Sequence, residues 1–562
     1  MNYLVTLQQI LIKYIILRKI LHFFLLLAIA INMQAQTPKY EVRAVWLTTI
    51  GGIDWPHSFA NSTSSIQRQK QELTTILDQL QQANINTVLL QARVRATTIF
   101  PSSREPWDVC LSGKAGVSPG YDALQFAIDE CHKRGMQCHA WIVTIPVGKW
   151  NSNGCKQLRQ KYPKLIVKVG DEGYMNPEKS ETGDYLAQFC REVTRRYDVD
   201  GIHLDYIRYP ETWPKLRKGE SRSQRIAFIT DIVRKIRQSV KEEKPWVKLS
   251  CSPIGKYDDL RRYRSGGWNA RTTVSQDAQA WLRDDLMDAL FPMMYFQGNN
   301  FFPFAIDWKE QSHGRIVAPG LGIYFLDPRE GKWTLPVVER QMHVLRQLGL
   351  GHTYFRSKFF TDNTRGIYDF GSRFDATPTL IPPMTWSGKP APQAPTTLSL
   401  TDGNLSWSGA YDTSGAPYLL YNIYASNQYP VDTDNPRNLV ATRLTATSLK
   451  VPEGNNLFYA VTAMNRYGIE SPAIQQKGNY STAQIARQKI QVSTGQPIVL
   501  PSKGQVLDAD YIIVESMTGQ QIAVSPYTTH LSVDNLPDGM YSLRSLGKKG
   551  RTHRLGYFTI KR

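Results

Sequence analysis

Beyond residue 35 the sequence has no run of 18 apolar residues, which excludes a chain that crosses a membrane several times. Common catalytic signatures are missing as well. There is no P-loop, no G-x-S-x-G elbow, no H-E-x-x-H pair and no EF-hand loop. Neither a metal nor a cofactor is therefore expected. Cysteine is scarce: Cys110, Cys131, Cys138, Cys155, Cys190 and Cys251 are the six, irregularly spaced and without a C-x-x-C. That spacing argues against a zinc or redox motif and fits either one or two disulfides or buried thiols. Acidic residues are also short, 48 against 67 Lys and Arg, for a net charge of +19. Such an excess calls for an anionic partner. No zinc-finger spacing or nucleic-acid recognition module accompanies it.

Aromatic residues are plentiful, with 13 Trp and 28 Tyr among 562 residues, and 41% of the chain is hydrophobic. A chain of this composition buries a core, so global disorder is excluded. Its length is that of about three or four domains. Residues 1–35 read as a secretory signal. Lys13, Arg18 and Lys19 precede an apolar Leu21–Ile31, and Met33, Gln34 and Ala35 end it. An uncleaved anchor is the alternative. Export would place the protein in the periplasm or at the cell surface, with no membrane span left after cleavage. Nucleic acid then becomes a poor partner, and an anionic envelope or extracellular glycan a better one. Oligomeric state is not legible.

From 40 to 370, β-rich runs alternate with amphipathic stretches. The strand-like runs are Val42–Thr49, Thr87–Val94, Gln137–Val143, Gly201–Ile207, Val247–Ser252, Ala289–Tyr295, Ile316–Tyr324 and Gly351–Phe355. Among the helical stretches are Ile66–Gln82, Tyr121–Arg134, Tyr185–Tyr197, Arg222–Lys241 and Leu335–Leu348. Eight strands interleaved with helices predict an α/β fold, a (β/α)8 barrel with its active site at the C-terminal strand ends. A linker is expected over 371–395, where Ser387–Pro395 is rich in Pro, Ala and Ser. Two small all-β modules follow. Residues 396–480 resemble a fibronectin type III sandwich, through Trp407, Tyr421, Tyr424 and the alternation of Tyr459, Val461 and Ala463. Residues 490–562 read as a further β-module, with a turn at Asp538 and Gly539. Its ending resembles the C-terminal sorting modules of secreted bacterial proteins; an ordinary terminal β-module fits as well.

The richest segment is Asp200 to Pro210, DGIHLDYIRYP. In a strand, His203 and Asp205 share one face, and Ile202 and Leu204 the other. Polar groups on the inward face of a barrel are costly unless bonded or used on substrate. Family 18 chitinases carry D-G-x-D-x-D-x-E here, and that register puts Ile207 where their acid stands, which it cannot replace. Amylase-type barrels carry G-x-R-x-D, and that register makes Asp205 a nucleophile or charge stabiliser, with His203 in place of the Arg.

A closer likeness spans nearly all of 40–370. It rests on Arg43–Thr49, Ile53–Pro56, Glu105–Trp107, Cys138–Trp141, Asn176 with Pro177, Asp200–Pro210, Lys244–Gly255, Gln276 and Asp277 with Trp281, Phe291–Tyr295 and Gly320–Tyr324. In these runs the chain resembles the glycoside-hydrolase-like family 10 of bacterial envelope proteins. The resemblance implies a (β/α)8 barrel and action on peptidoglycan glycan strands stripped of peptides. One departure is Thr97, where many members have Asp.

Glycoside hydrolysis usually needs two carboxyl groups. Asp205 is the first candidate and Asp277 the second; a helix N-cap is the alternative role of Asp277. Asp54, Glu105, Glu178 and Asp258 are further candidates. Trp46, Trp141, Tyr206, Tyr295 and Phe296 suit stacking on sugar rings, or simply the core. Arg43, Arg93, Asn176, His203, Arg208 and Gln297 suit binding of hydroxyls or carboxylates. Arg43 and Arg93 have an alternative, pairing inside the barrel with Glu41 or Asp205. The leading expectation is an exported glycosidase. Its rival is a non-catalytic carbohydrate-binding barrel of the cell envelope.

Overall fold

The computed structural model describes residues 37–562 apart from 217, 264, 453–456, 476–488, 493–497, 507–508, 517–520, 534–535, 538, 548–551 and 561–562. The expected signal segment and Asp538 of the expected hairpin turn lie outside the described residues. From Lys39 onward the chain is one compact unit.

Eight parallel strands come first: β1 Arg43–Leu47, β2 Thr87–Arg93, β3 Gln137–Val143, β4 Gly201–Asp205, β5 Lys248–Cys251, β6 Ala289–Leu290, β7 in two pieces at Ile316–Val317 and Gly320–Leu321, and β8 His352–Tyr354. Pairing runs β7-β6-β5-β4-β3-β2-β1-β8 and returns to the second piece of β7, so the sheet closes on itself. Ala318 and Pro319 interrupt β7 without opening the barrel. The Ala318 N–H still donates to the Leu290 carbonyl, and the Pro319 carbonyl accepts from Thr353. Each strand is followed by a helix of the outer ring: α1 Thr63–Gln82, α2 Ala123–Lys133, α3 Ser180–Arg196, α4 Arg222–Glu243, α5 Ala278–Arg283, α6 Phe302–Glu310, α7 Leu335–Gln347 and α8 Ile367–Phe374. This is a (β/α)8 barrel.

The apolar runs are continuous because both strand faces are buried. Val45, Leu47, Val88, Leu90, Ile202, Leu204, Leu249 and Cys251 face the helices. Ala44, Trp46, Leu89, Trp141, Val143, Ala289, Phe291 and Ala318 fill the interior. The apolar interior draws on neither β4 nor β5, which point His203, Asp205 and Ser250 inward instead.

The N-terminal end of the barrel is shut by an ion-pair network. Arg43 donates to Glu41 at 2.8 Å and lies 3.2 Å from Asp375. Arg346 binds Glu41 at 2.6 Å and Asp375 at 2.5 Å, and His352 Nε2 lies 3.1 Å from Asp375. Segment 371–395 is not free-running. Its first residues complete α8, Leu380 exchanges backbone hydrogen bonds with Lys39 and Glu41, and Ile381 enters the interior cluster.

Two small sheets then face each other. Leu398–Thr401, Asn404–Trp407 and Ser448–Lys450 form one; Leu439–Leu444, Leu420–Ser426, Phe458–Met464 and Ile474–Gln475 form the other. Leu405 and Trp407 meet Tyr421, Ile423, Tyr459 and Val461 between them. This sandwich sits on the N-terminal end of the barrel. Arg443 binds Asp200 at 2.6 Å, and Arg466 binds Asp198 at 2.7 Å and Asp200 at 3.2 Å. Gly135 is needed at this seam: its φ is +72°, and a Cβ there would lie 2.7 Å from the Thr442 carbonyl. The last module pairs Lys489–Val492, Thr552–Ile560, Gly539–Leu546, Tyr511–Ser516 and Gln521–Pro526 in one sheet. It packs around Ile512, Val514, Leu543 and Phe558. The C-terminal strand ends lie on the opposite side of the barrel from the docked sandwich.

Candidate active site

β4 carries two polar side chains into the barrel. It can enter there only as glycine: a Cβ on Gly201 would lie 2.4 Å from His139 Nδ1. His203 is fully buried, with Nδ1 3.0 Å from Ser250 Oγ and Nε2 3.2 Å from the Trp46 indole nitrogen. Indole only donates, so Nε2 accepts and the proton is assigned to Nδ1. Burial, with His139 adding to it, holds His203 far below the usual histidine range. It is a neutral orienting group.

Asp205 ends β4 and is 8% exposed. Its Oδ2 accepts from Trp141 Nε1 at 3.1 Å; Oδ1 accepts from Ser252 Oγ at 3.0 Å and from the Tyr206 N–H at 2.8 Å. Burial pushes the carboxyl above the ordinary aspartate range, and these donors and Arg208 offset it only in part. A carboxyl in that state keeps its proton to higher pH, as a general acid requires.

The chain then turns sharply. Tyr206 adopts φ +52°, a left-handed conformation that is rare for a bulky residue, and its carbonyl accepts from the Arg208 N–H at 2.8 Å. Backbone of this kind clusters at functional sites. The turn lays the Arg208 guanidinium over the Tyr206 ring at 4.5 Å, with Trp268 on its other flank at 5.9 Å. Arg208 is 2% exposed. It donates to Glu211 at 2.8 Å and to the Tyr209 carbonyl at 3.2 Å, and its Nε is buried without a partner among the described residues. Burial would raise the Glu211 carboxyl, but its bond to Arg208 and that charge outweigh burial and lower it.

Aromatic rings from the neighbouring strands complete the mouth. Tyr295 lies 5.2 Å from Phe355 and 5.7 Å from Tyr324, and Phe355 rests edge-on to Trp46 at 5.7 Å. The Tyr295 hydroxyl is buried with no partner among the described residues. Burial first, then the Asp205 charge, push its phenol far up.

The structure thus gathers Asp205, His203, Trp46, Trp141, Tyr206, Arg208 and Tyr295. Trp46 and Trp141 are only 1% and 5% exposed, so they serve through their N–H groups rather than as open stacking platforms. Several sequence candidates are engaged in other contacts. Arg43 is the first residue of β1, not the last, and is used up in the network at the closed end. Arg93 does end β2, but it forks onto Glu105 at 2.7–3.0 Å and donates to the Val143 and Thr144 carbonyls, which leaves nothing for substrate. Asn176 is half-buried and accepts from the Glu178 N–H at 3.0 Å, a turn before α3. Gln297 is exposed, and its carbonyl accepts from Asn300. Asp277 occupies the N-cap position of α5 without capping it; the Tyr257 hydroxyl donates to its carboxylate, and Arg271 lies 3.9 Å away. None of these groups touches Asp205.

Of the other acids, Asp54 is bound by Thr48 and Arg356, Glu105 by Arg93 and Tyr185, and Asp258 by Arg271. Thr97 donates to Asp108 at 2.6 Å. Glu41, His352 and Asp375 offer ligand atoms within 4.8 Å of one another, but Arg43 and Arg346 occupy the carboxylate oxygens and balance their charge. The sequence reading does not single out Ser250, Ser252, Phe355 or Glu211. The signal for the serines was present: along β5 and one residue beyond it, Leu249 and Cys251 alternate with Ser250 and Ser252, the inward face at a barrel mouth.

The profile of a family described as Glycosyl hydrolase-like 10 matches residues 41–223 and 221–324. Glycosyl hydrolase YngK of Bacillus subtilis (strain 168) is 29% identical over 403 residues, spanning 65% of this chain and 78% of that protein. Glycosyl hydrolase DigH of Escherichia coli (strain K12) is 31% identical over 295 residues, spanning 46% of this chain and 67% of that protein. Among solved structures, the PgaB (BpsB) glycoside hydrolase domain from Bordetella bronchiseptica is similar at 15% identity and a TM-score of 0.44, over 59% of this chain and 98% of that one.

Proposed function

The chain belongs to the glycosyl hydrolase-like 10 family, and on that footing we propose an exported glycoside hydrolase of bacterial envelope polysaccharide, with Asp205 as its general acid. The carrying observation is the state of Asp205. A carboxyl at the C-terminal end of a barrel strand, buried and pushed above its ordinary range, is poised to give a proton to a leaving oxygen. Trp141, Ser252 and the Tyr206 N–H hold it in place. The Tyr295 phenol and the Arg208 guanidinium each keep one buried polar atom unpaired beside it, ready for sugar hydroxyls or a carboxylate.

The substrate we propose is the peptidoglycan glycan strand stripped of peptides. Its lactyl carboxylates suit a chain of net charge +19 with an arginine at the mouth. The segment 1–35 supports export to the periplasm or cell surface, and the sandwich at 396–480 is proposed as a fibronectin type III-like module. Purified protein is incubated with stripped strands, and the released fragments are separated. Fragments from wild type and none from Asp205→Asn are expected. Tight binding without release by wild type would favour a non-catalytic carbohydrate-binding barrel instead. Full release by Asp205→Asn would remove Asp205 from the chemistry.

A further inference from the structure

Asp277 is engaged by Tyr257 and Arg271 and makes no bond to Asp205, so the second carboxyl group of the hydrolytic reading is still to be assigned. Resting on that reading, we propose that Glu211 is the second carboxylate, acting as general base across the Tyr206–Arg208 turn. Glu211 stands six positions beyond Asp205 on the loop that leaves the C-terminal end of β4. Its carboxylate is fixed by Arg208 at 2.8 Å, and Arg208 is itself fixed over the Tyr206 ring at 4.5 Å. Burial first, then the charges of both Asp205 and Glu211, push the Tyr206 phenol up. Arg208 acts on both acids, by charge on Asp205 and by a direct bond on Glu211.

The two environments differ in the sense that acid and base require. Asp205 is buried under neutral donors. The Glu211 side chain is 46% exposed and paired with a cation. Their proton affinities are driven apart, upward for Asp205 by burial, and downward for Glu211 as Arg208 overrides burial. Pairs of carboxyl groups separated in this way divide the acid and base roles between them. With one carboxyl group acting as acid and the other as base, a water is the nucleophile. Asp205 gives its proton to the glycosidic oxygen as the C1–O bond breaks. The Glu211 carboxylate takes a proton from water as the water oxygen bonds to C1. Solvent exchange then returns a proton to Asp205 and removes one from Glu211, so the net change is one water consumed per bond cleaved. The product is the inverted anomer.

The experiment uses the full chain on stripped glycan strands, scoring new reducing ends, with thermal melts to show that each variant folds. Glu211→Gln should lower kcat by about 100-fold or more, the usual range for a lost general base, with glycan binding retained. The acid limb of its pH profile should disappear. Azide should restore turnover to Glu211→Ala and give a glycosyl azide of inverted configuration. Asp277→Asn should stay within a few-fold of wild type. The proposal is overturned by near-wild-type turnover in Glu211→Gln. It is equally overturned by a loss with no azide rescue and an unchanged acid limb, the pattern of a mere clamp on Arg208. An inactive wild type would overturn the hydrolytic reading itself and this proposal with it; an active wild type with an active Glu211→Gln overturns this proposal alone.

Discussion

Replacing Ser252 with Ala removes one of three donors to Asp205 and leaves the Trp141 and Tyr206 N–H groups in place. The lost bond, 3.0 Å from Oδ1, favours the ionised carboxylate. A hydrogen bond to a charged group is worth about 1.5–3 kcal/mol, and about 1.4 kcal/mol moves a titration by one pH unit. The protonated acid can also bond the serine oxygen, so the low end of that range applies. As a general acid, Asp205 supports turnover only while protonated, so activity falls as pH rises through its titration. Losing a donor makes the proton harder to remove. The alkaline limb of kcat/KM for Ser252→Ala should therefore move upward, by about one pH unit, with the plateau little changed. The assay is fragment release from stripped glycan between pH 4 and 10, a window of roughly three units on either side of neutrality. An unmoved limb, or one that moves to lower pH, would show that Asp205 is not the acid or that Ser252 does not bond it.

Two further predictions concern stability. Arg93→Met leaves the buried Glu105 with Tyr185 as its remaining donor and should cost about 3–5 kcal/mol; a melting temperature within a degree of wild type would contradict this. Arg443→Ala takes one of three side-chain partners from Asp200, whose carboxyl is held well below its usual range because Arg443, His132 and Arg466 outweigh the effect of burial. A depressed carboxyl stabilises the fold above its unfolded titration, near pH 3.9, and loses that contribution as pH falls through the folded one. The deficit of Arg443→Ala in denaturant melts should be about 1.5–3 kcal/mol at pH 7 and should shrink in acid; a deficit independent of pH would count against the ion pair.

The barrel is legible because its strands are buried on both faces, so each appears as an apolar run of its own, and the helices between them keep a separate period. The eight runs named from the sequence all carry strands, although β6 is reduced to Ala289 and Leu290 and β7 is broken at Ala318 and Pro319. In the sandwich, Leu439–Leu444 escapes notice because its burial is mixed and Arg443 kinks it with φ +58°. The site is half legible. Asp205 and His203 follow from alternation along β4. Arg43 and Arg93 look alike in sequence, yet one begins its strand and the other ends it, which sends them to opposite ends of the barrel. Asp277 attracts notice as an acid after β5, but a sequence does not say that Tyr257 and Arg271 claim it. Glu211 hides for the converse reason. Only the left-handed Tyr206 shows that the loop folds Arg208 back over the ring, where it binds Glu211.

The sandwich on the N-terminal end has a consequence for traffic. Trp46, His203 and Phe291 plug the axis, and below them the Arg43–Asp375 network and the docked β-strands seal the far side. The barrel is a cul-de-sac, not a tunnel. Under the proposed hydrolysis, a glycan engaged at the mouth lies across the rim rather than being threaded through, and reactant, water and both cut ends share that one doorway.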